Sequence, residues 1–141
     1  MVYTANHLKS RLAARMFHHD PADATVATKI GWVPMGLSFM AIVQFASGTG
    51  LLTVKVFAAT DASGSGATEV TAGAHADPTV ADAAGDQVVI EVSDEQVKAA
   101  LAGATHVSIE VDADAAGDIA DVVYIVEPFV AKNGNTADII A

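Results

Sequence analysis

The sequence predicts a mainly β protein: an antiparallel β-sandwich or jelly-roll-like body with an N-terminal helix and one short helix at about 94–102. Three observations lead to this prediction. From Val26 onward, short apolar runs are separated by clusters of Gly, Ser, Asp and Thr, which is typical of strands and turns. Several runs alternate apolar and polar residues, as a strand with one buried face requires. With 141 residues, the chain is long enough to close one hydrophobic core.

The strands are assigned from these apolar runs. Val107, Ile109 and Val111 alternate cleanly with polar residues. The run 121–126 is apolar at successive positions, which predicts a central strand or one covered on both faces. The segment 47–50, Ser-Gly-Thr-Gly, is typical of a hairpin connection between the second and third strands. The predicted strands span 26–34, 38–46, 51–59, 67–71, 87–92, 104–112 and 119–127.

Residues 5–17 are good helix formers. Leu8, Leu12 and Met16 fall on one stripe at the i, i+4, i+8 spacing of an amphipathic helix. Helical backbone is disfavoured at the residue that precedes a proline, so the helix is expected to end before Pro21.

The second helix begins at the most specific local signal in the chain. Ser93 is followed three residues later by Gln96, which is a capping box. Gly103 then stops the helix. The helix is expected to connect the strands at 87–92 and 104–112.

These elements divide the chain into three parts. An N-terminal helical arm spans 1–25, a β-sandwich domain spans 26–129, and a C-terminal arm spans 130–141. Ile139 and Ile140 gain little in water at a chain end, so we expect them to dock on the body or on a neighbouring molecule.

Composition favours a protein that works in an assembly. The chain is 52% hydrophobic and only 17% charged, so a monomer would leave apolar surface exposed. The net charge of −10 argues against nucleic acid as a partner, because phosphate binding needs clustered Lys and Arg. No stretch is long and apolar enough to span a bilayer, so no membrane partner is expected. The basic residues of segment 1–30 are consistent either with docking on an acidic surface or with an ordinary solvated helix.

A search for reactive groups gives no catalytic constellation. The glycine clusters at 48–50 and 64–66 lack the Lys of a phosphate loop and the third glycine of a dinucleotide loop. Asp112, Asp114 and Asp118 suggest a calcium loop, but their spacing lacks the glycine and distal glutamate of an EF-hand, and an acidic turn is the favoured interpretation. We therefore expect no enzyme activity, no cofactor and no metal.

One family resemblance adds to this interpretation. The segments that carry it are Gly-Trp-Val-Pro-Met-Gly at 31–36, the Ala-Thr-Asp-Ala-Ser-Gly-Ser-Gly-Ala loop at 59–67, Val-Ile-Glu-Val at 89–92, the acidic helical turn at 94–96 and Glu-Pro-Phe at 127–129. Together they resemble a family of small structural proteins of tailed bacteriophages. The N-terminal extension and the tail after Val130 have no counterpart in that pattern.

The resemblance implies a virion structural protein, and the leading hypothesis is a capsid decoration (cement) protein. It would be made in the host cytoplasm and sit on the capsid exterior. Its partners would be the major capsid protein and neighbouring copies of itself, as a homotrimer or another homo-oligomer. The residues expected to make these contacts are Leu8, Lys9, Arg11, Leu12, Arg15, Met16, Ile139 and Ile140.

Three alternatives stay open. A tail or head–tail junction subunit would form rings or tubes. A carbohydrate- or host-binding β-module usually presents exposed aromatic residues, whereas the one tryptophan, Trp32, is expected beside a buried strand. An acidic domain whose charge reflects only a saline solvent would lose its fold at low salt.

Overall fold

A computed structural model describes residues 13–19, 27–47, 52–73, 85–113 and 119–127. Within these ranges the chain is mainly β, as predicted. The seven predicted strands are present with bounds close to the predicted ones, except that the strand predicted at 67–71 contains only two residues. The elements are β1 (Ala13–His19), β2 (Thr28–Pro34), β3 (Ser38–Ser47), β4 (Leu52–Ala59), β5 (Thr68–Glu69), a 3-10 turn (Thr71–Gly73), β6 (Gln87–Ser93), α1 (Asp94–Ala100), β7 (His106–Ala113) and β8 (Ile119–Glu127).

The strands form two antiparallel sheets of four. Sheet A has the order β1-β8-β3-β6, and sheet B has the order β2-β7-β4-β5. The pairing is nested: β1 pairs with β8, β2 with β7, β3 with β6, and β4 with β5. The described chain therefore pairs like one long hairpin whose tip lies between β4 and β5.

One cluster of buried residues joins the sheets. Every second residue of the long strands belongs to it, because side chains alternate between the two faces of a strand. In β4 and β7 the predicted apolar positions are core residues, but in β7 the alternating polar residues Ser108 and Glu110 are buried as well, so both faces of that strand are covered. The prediction that the run 121–126 is a central strand is also confirmed, since β8 lies between β1 and β3. The strand residues in the cluster include Phe39, Ala41, Val43, Phe45, Val54, Val56, Ala58, Val107, Ile109, Val111, Val122, Tyr124 and Val126.

A buried tyrosine ties the two sheets together. The ladder between β2 and β7 shifts register between Ile30 and Val33, where Gly31 adopts a φ of 63°. The hydroxyl of Tyr124, from sheet A, enters this irregularity. It accepts a hydrogen bond from the N–H of Ile109 at 2.9 Å and donates one to the carbonyl of Ile30. Because Ile30 and Ile109 are register partners in sheet B, a single hydroxyl links both strands to the opposite sheet.

Helix α1 follows its sequence signal. The Ser93 hydroxyl accepts a bond from the N–H of Gln96 at 3.3 Å, and the Gln96 side chain accepts one from the N–H of Ser93 at 2.9 Å. Both halves of the predicted capping box are thus present. The helix connects β6 in sheet A with β7 in sheet B.

The predicted N-terminal helix over 5–17 is wrong from Ala13 onward. Residues 13–19 form strand β1, antiparallel to β8, with Ala13 opposite Val126. Strand β8 is apolar at successive positions, and pairing with it outweighs the modest helix propensity of this segment. Residues 5–12 lie outside the described residues, as do 130–141. Strand β1 therefore belongs to the same sheet as three strands of the predicted 26–129 body.

The predicted hairpin between the second and third strands is also wrong. Strand β3 lies in sheet A and strand β4 in sheet B, so the connection between them passes from one sheet to the other. Glycines provide tight turns in both kinds of connection, and the local sequence does not distinguish them. Residues 48–51 themselves lie outside the described residues.

Candidate docking surface

The outer face of sheet A is apolar at its centre. Because Phe39, Ala41 and Val43 of β3 point into the core, Met40 and Ile42 lie on the opposite, outer face. The same alternation places the intervening residues of β8 and β6 on that face. We call the set of Met40, Ile42, Val89, Val123 and Ile125 the apolar face.

Strand register brings these residues together in two adjacent rows. In the first row Val89 of β6 lies beside Ile42 of β3, which lies beside Val123 of β8. In the second row Met40 lies between Ile125 and Glu91. The members of a row sit on neighbouring strands, about 5 Å apart. The rows therefore form one continuous patch.

The patch is accessible. Val89 is 60% exposed, and it and Leu37, at 49%, are the large apolar residues that the described chain exposes most. Met40, Ile42, Val123 and Ile125 are half-buried. An antiparallel sheet that faces water normally carries polar residues on its outer face. The apolar centre at this position makes the outer face of sheet A the candidate docking surface of the described chain.

Polar and acidic residues border the apolar face at both ends. On one side the next row contains Gln87, Gln44 and Asp121. On the other side lies Ser38, next to Glu127 in the register of β8, with the two side chains 3.5 Å apart. An apolar centre with a polar border is the usual composition of a protein interface.

The outer face of sheet B is different, because its large side chains contact one another. The ammonium of Lys29 lies 2.6 Å from the carboxylate of Glu110 and 4.0 Å from the centre of the Phe57 ring. Glu110 is buried and is on the row that also contains Lys55. An ion pair packed on an aromatic ring stabilises the strands that carry it. These groups have partners within the chain, so this face is the less suited to docking.

Trp32 also lies in this region and packs against the β4–β5 loop. A Cβ atom added to Gly64 would lie 2.6 Å from Nε1 of Trp32, so the loop approaches the indole at a position that only glycine allows. The ring is half-buried. One side of the indole is therefore in contact with the chain's own loop.

The β4–β5 loop is held by Asp61. Its carboxylate accepts bonds from the N–H groups of Ser63, at 2.9 Å, and Ser65, at 3.1 Å. Hydrogen bonds from the Ser65 side chain, and from the backbone of Ser65 and Ser63, hold the pKa of Asp61 below its ordinary value. The carboxylate is thus committed to shaping the loop, which in turn supports Trp32.

The structure describes only part of the predicted contact set. Leu8, Lys9, Arg11, Leu12, Ile139 and Ile140 lie outside the described residues. Arg15 and Met16 belong to strand β1, opposite Tyr124 and Val123. Met16 is therefore not on a helical stripe with Leu8 and Leu12. Because Met16 is the register partner of Val123, it occupies the next position in the row of Val89, Ile42 and Val123.

Sequence reasoning missed the apolar face itself, although one signal for it was present. Consecutive apolar residues at 39–43 and 122–126 cannot all point into one core, because neighbouring side chains of a strand point to opposite faces. The second run was interpreted as a central strand or as one covered on both faces. Within the described chain, β3 and β8 place one face in the core and the other in the apolar face.

The described residues contain no cluster of three or more His, Cys, Asp or Glu side chains that could hold a metal ion. Asp112 is exposed near the end of β7, while Asp114 and Asp118 lie outside the described residues. No helix in the described ranges has the length and hydropathy of a membrane span.

Comparisons of the chain with protein-family models, with curated proteins and with solved structures gave no match.

Proposed function

We propose that this chain is a structural protein of a tailed-phage particle: a capsid decoration protein whose jelly-roll β-sandwich binds the head shell through the apolar face. The observation that carries the proposal is that face, with Val89 60% exposed at the end of a row of apolar residues. Such a surface contributes binding energy when a partner excludes water from it. A decoration protein needs complementary area, and it needs no reactive group.

The strand order supports the jelly-roll assignment. A jelly roll contains eight antiparallel strands in two sheets, and it recurs in viral capsid proteins and in lectins. The nested pairing of first strand with last, second with seventh, and so on inward, is the pairing of a long hairpin rolled into such a fold. Fold alone does not determine function, so this observation supports the proposal without carrying it.

The charge of the chain fits an exterior position on the head. A net charge of −10 disfavours a surface that faces packaged DNA. The partners are then the major capsid protein and other copies of this chain, with assembly after synthesis in the host cytoplasm. The predicted contact residues that lie outside the described ranges, together with Met16, would add to the area of the apolar face, whereas Arg15 is the register partner of the core residue Tyr124.

Binding of the purified protein to purified phage heads tests the proposal. The double variant Val123→Thr/Ile125→Thr keeps β-branched residues on β8 but makes the apolar face more polar. We expect co-sedimentation with heads to fall about tenfold, while Lys55→Gln on the outer face of sheet B leaves it unchanged. Equal binding of the double variant and the wild type would show that the apolar face is not the contact. Absence of the wild-type protein from the head exterior in electron micrographs would refute the assignment.

The same preparations distinguish the alternatives. A tail or head–tail junction subunit would label the tail or the neck, and it would form rings or tubes when concentrated. A carbohydrate-binding module would bind glycans in an array, and that binding would be lost in Trp32→Ala. The third alternative, an acidic domain adapted to salt, predicts unfolding at low ionic strength without binding to any part of the particle.

A further inference from the structure

The outer edge of β6 carries a short run of backbone groups that no described residue pairs with. β6 is the last strand of sheet A, and its one strand neighbour is β3. The N–H of Phe45 donates to the carbonyl of Asp86 at 2.9 Å, and the N–H of Asp94 donates to the carbonyl of Leu37 at 3.1 Å. These two bonds fix which residues of β3 and β6 face each other as bonded pairs.

Bonded and non-bonded pairs alternate along an antiparallel ladder. The bonded positions of β6 are therefore the even-numbered ones, which include the core residues Ile90 and Val92. The N–H and C=O groups of Gln87, Val89 and Glu91 point away from β3. The N–H of Ser93 is taken by Gln96, so the open run ends at the capping box of α1.

We infer that two copies of this chain pair through β6, antiparallel and about a twofold axis at Val89. In this register Val89 lies opposite Val89 of the second copy, and Gln87 lies opposite Glu91 at each end. Gln87, Val89 and Glu91 thus each face a residue of the second copy whose backbone N–H and C=O groups also point away from its own β3. Each facing pair exchanges two hydrogen bonds, so the three pairs make about six.

The side chains suit this register. The amide of Gln87 donates to the carboxylate of Glu91, and no like charges face each other. The exposed Val89 side chains meet at the axis, where each covers part of the other. The row Val123–Ile42–Val89 then continues into the same row of the second copy. The two copies of sheet A then form one eight-stranded sheet, and the apolar face becomes twice as wide. The edge of β6 is paired with another strand and is no longer exposed.

Of the homo-oligomers expected from the sequence, this one is a dimer. The inference does not depend on the proposed function. If the protein forms this dimer but binds no phage head, the dimer inference stands and the proposed function fails. If the protein decorates heads as a monomer, the dimer inference fails and the proposed function stands.

A pair of substitutions tests the register itself. Gln87→Glu places a new carboxylate opposite Glu91 at both ends of the pairing, and we expect the dimer dissociation constant to rise about tenfold. Adding Glu91→Gln to that variant restores one amide opposite one carboxylate, so the dissociation constant should return close to the wild-type value. Sedimentation equilibrium of the full chain measures all three proteins. Both positions are exposed, so thermal melts recorded at concentrations where all three are monomeric should be alike.

The possible outcomes separate clearly. Weakening by the single change and recovery in the double variant supports the pairing. A wild-type protein that stays monomeric at every concentration overturns the inference. Association that both variants weaken equally, or that neither affects, places the contact elsewhere and overturns it too.

Discussion

Tyr124 links the two sheets through hydrogen bonds of its side chain. It is fully buried, and its hydroxyl satisfies one backbone donor and one backbone acceptor of sheet B. Tyr124→Phe removes the hydroxyl and leaves the N–H of Ile109 and the carbonyl of Ile30 without it. Unsatisfied buried groups are costly, so we expect the free energy of unfolding to fall by about 2 kcal/mol. Urea denaturation measures this.

The same residue predicts a dependence on pH. Burial raises the pKa of Tyr124 to about 12, from a reference value of 10.0. Tyr124 keeps its proton up to a higher pH in the folded state than in the unfolded state. Its contribution to the free energy of unfolding is therefore fully present below pH 10 and is lost as the pH rises towards 12. At 1.36 kcal/mol per pH unit, the loss amounts to about 3 kcal/mol.

The difference in stability between the wild type and Tyr124→Phe isolates this effect, because every other titrating group is common to both. That difference should shrink between pH 10 and 12. If it stays constant over this interval, the phenol does not titrate as proposed.

At the scale of elements, the β4–β5 loop supports Trp32 through a position that excludes side chains. Gly64 has a φ of +82° and lies against the indole, whereas Gly66 has a φ of +66° with no atom within 4 Å of an added Cβ. Both Gly64→Ala and Gly66→Ala carry the backbone cost of a left-handed residue, about 1 kcal/mol. Only Gly64→Ala also displaces the indole. We expect a larger loss of stability there, together with a shift in the fluorescence of the single tryptophan that Gly66→Ala does not produce.

Strand β1 predicts how far the N terminus can be shortened. Removing residues 1–12 keeps all eight described strands, and this truncation is the reference for a longer one. Removing residues 1–19 also deletes β1 and turns β8, an apolar central strand, into an open edge. That protein is expected to melt lower and to aggregate, as thermal circular dichroism and sedimentation would show. Equal behaviour of the two truncations would contradict the pairing of β1 with β8.

Local signals predicted the elements that depend on near neighbours. The capping box at Ser93 predicted α1, and strict alternation predicted β4 and β7, because caps and pleats involve residues a few positions apart. Strand β1 was missed because the Leu-Ala-Ala-Arg-Met segment favours a helix by itself. Its partner, β8, lies more than a hundred residues later in the chain. A preference of a few tenths of a kcal/mol per residue does not compete with a full ladder of strand pairing.

For the whole molecule, the sequence predicted the class of fold but not the division of strands between sheets. The segment 47–50 is as compatible with a hairpin as with a passage from sheet A to sheet B. The docking surface depends on this division, because Val89, Ile42 and Val123 become neighbours only through pairing of β6, β3 and β8. That is why the apolar face was not predicted as a site.

Nested pairing also predicts slow folding. Of the four nested strand pairs, only β4 and β5 are close in sequence. In each of the other three pairs a longer loop must close before the strands can pair. Proteins dominated by such distant contacts refold in milliseconds to seconds. Stopped-flow tryptophan fluorescence should give a rate in that range, and refolding in microseconds would be inconsistent with this topology.

The register of β1 and β8 has a mechanical consequence. Ala13, where β1 begins, lies opposite Val126, one residue before β8 ends, so the described chain enters and leaves sheet A at the same corner. A force that pulls the start of β1 away from the end of β8 acts perpendicular to the two strands. It therefore breaks the hydrogen bonds between them one pair after another. A force spread over the apolar face loads the whole sheet at once. Under load, the pairing of β1 with β8 is therefore expected to yield before a contact that is spread over the apolar face.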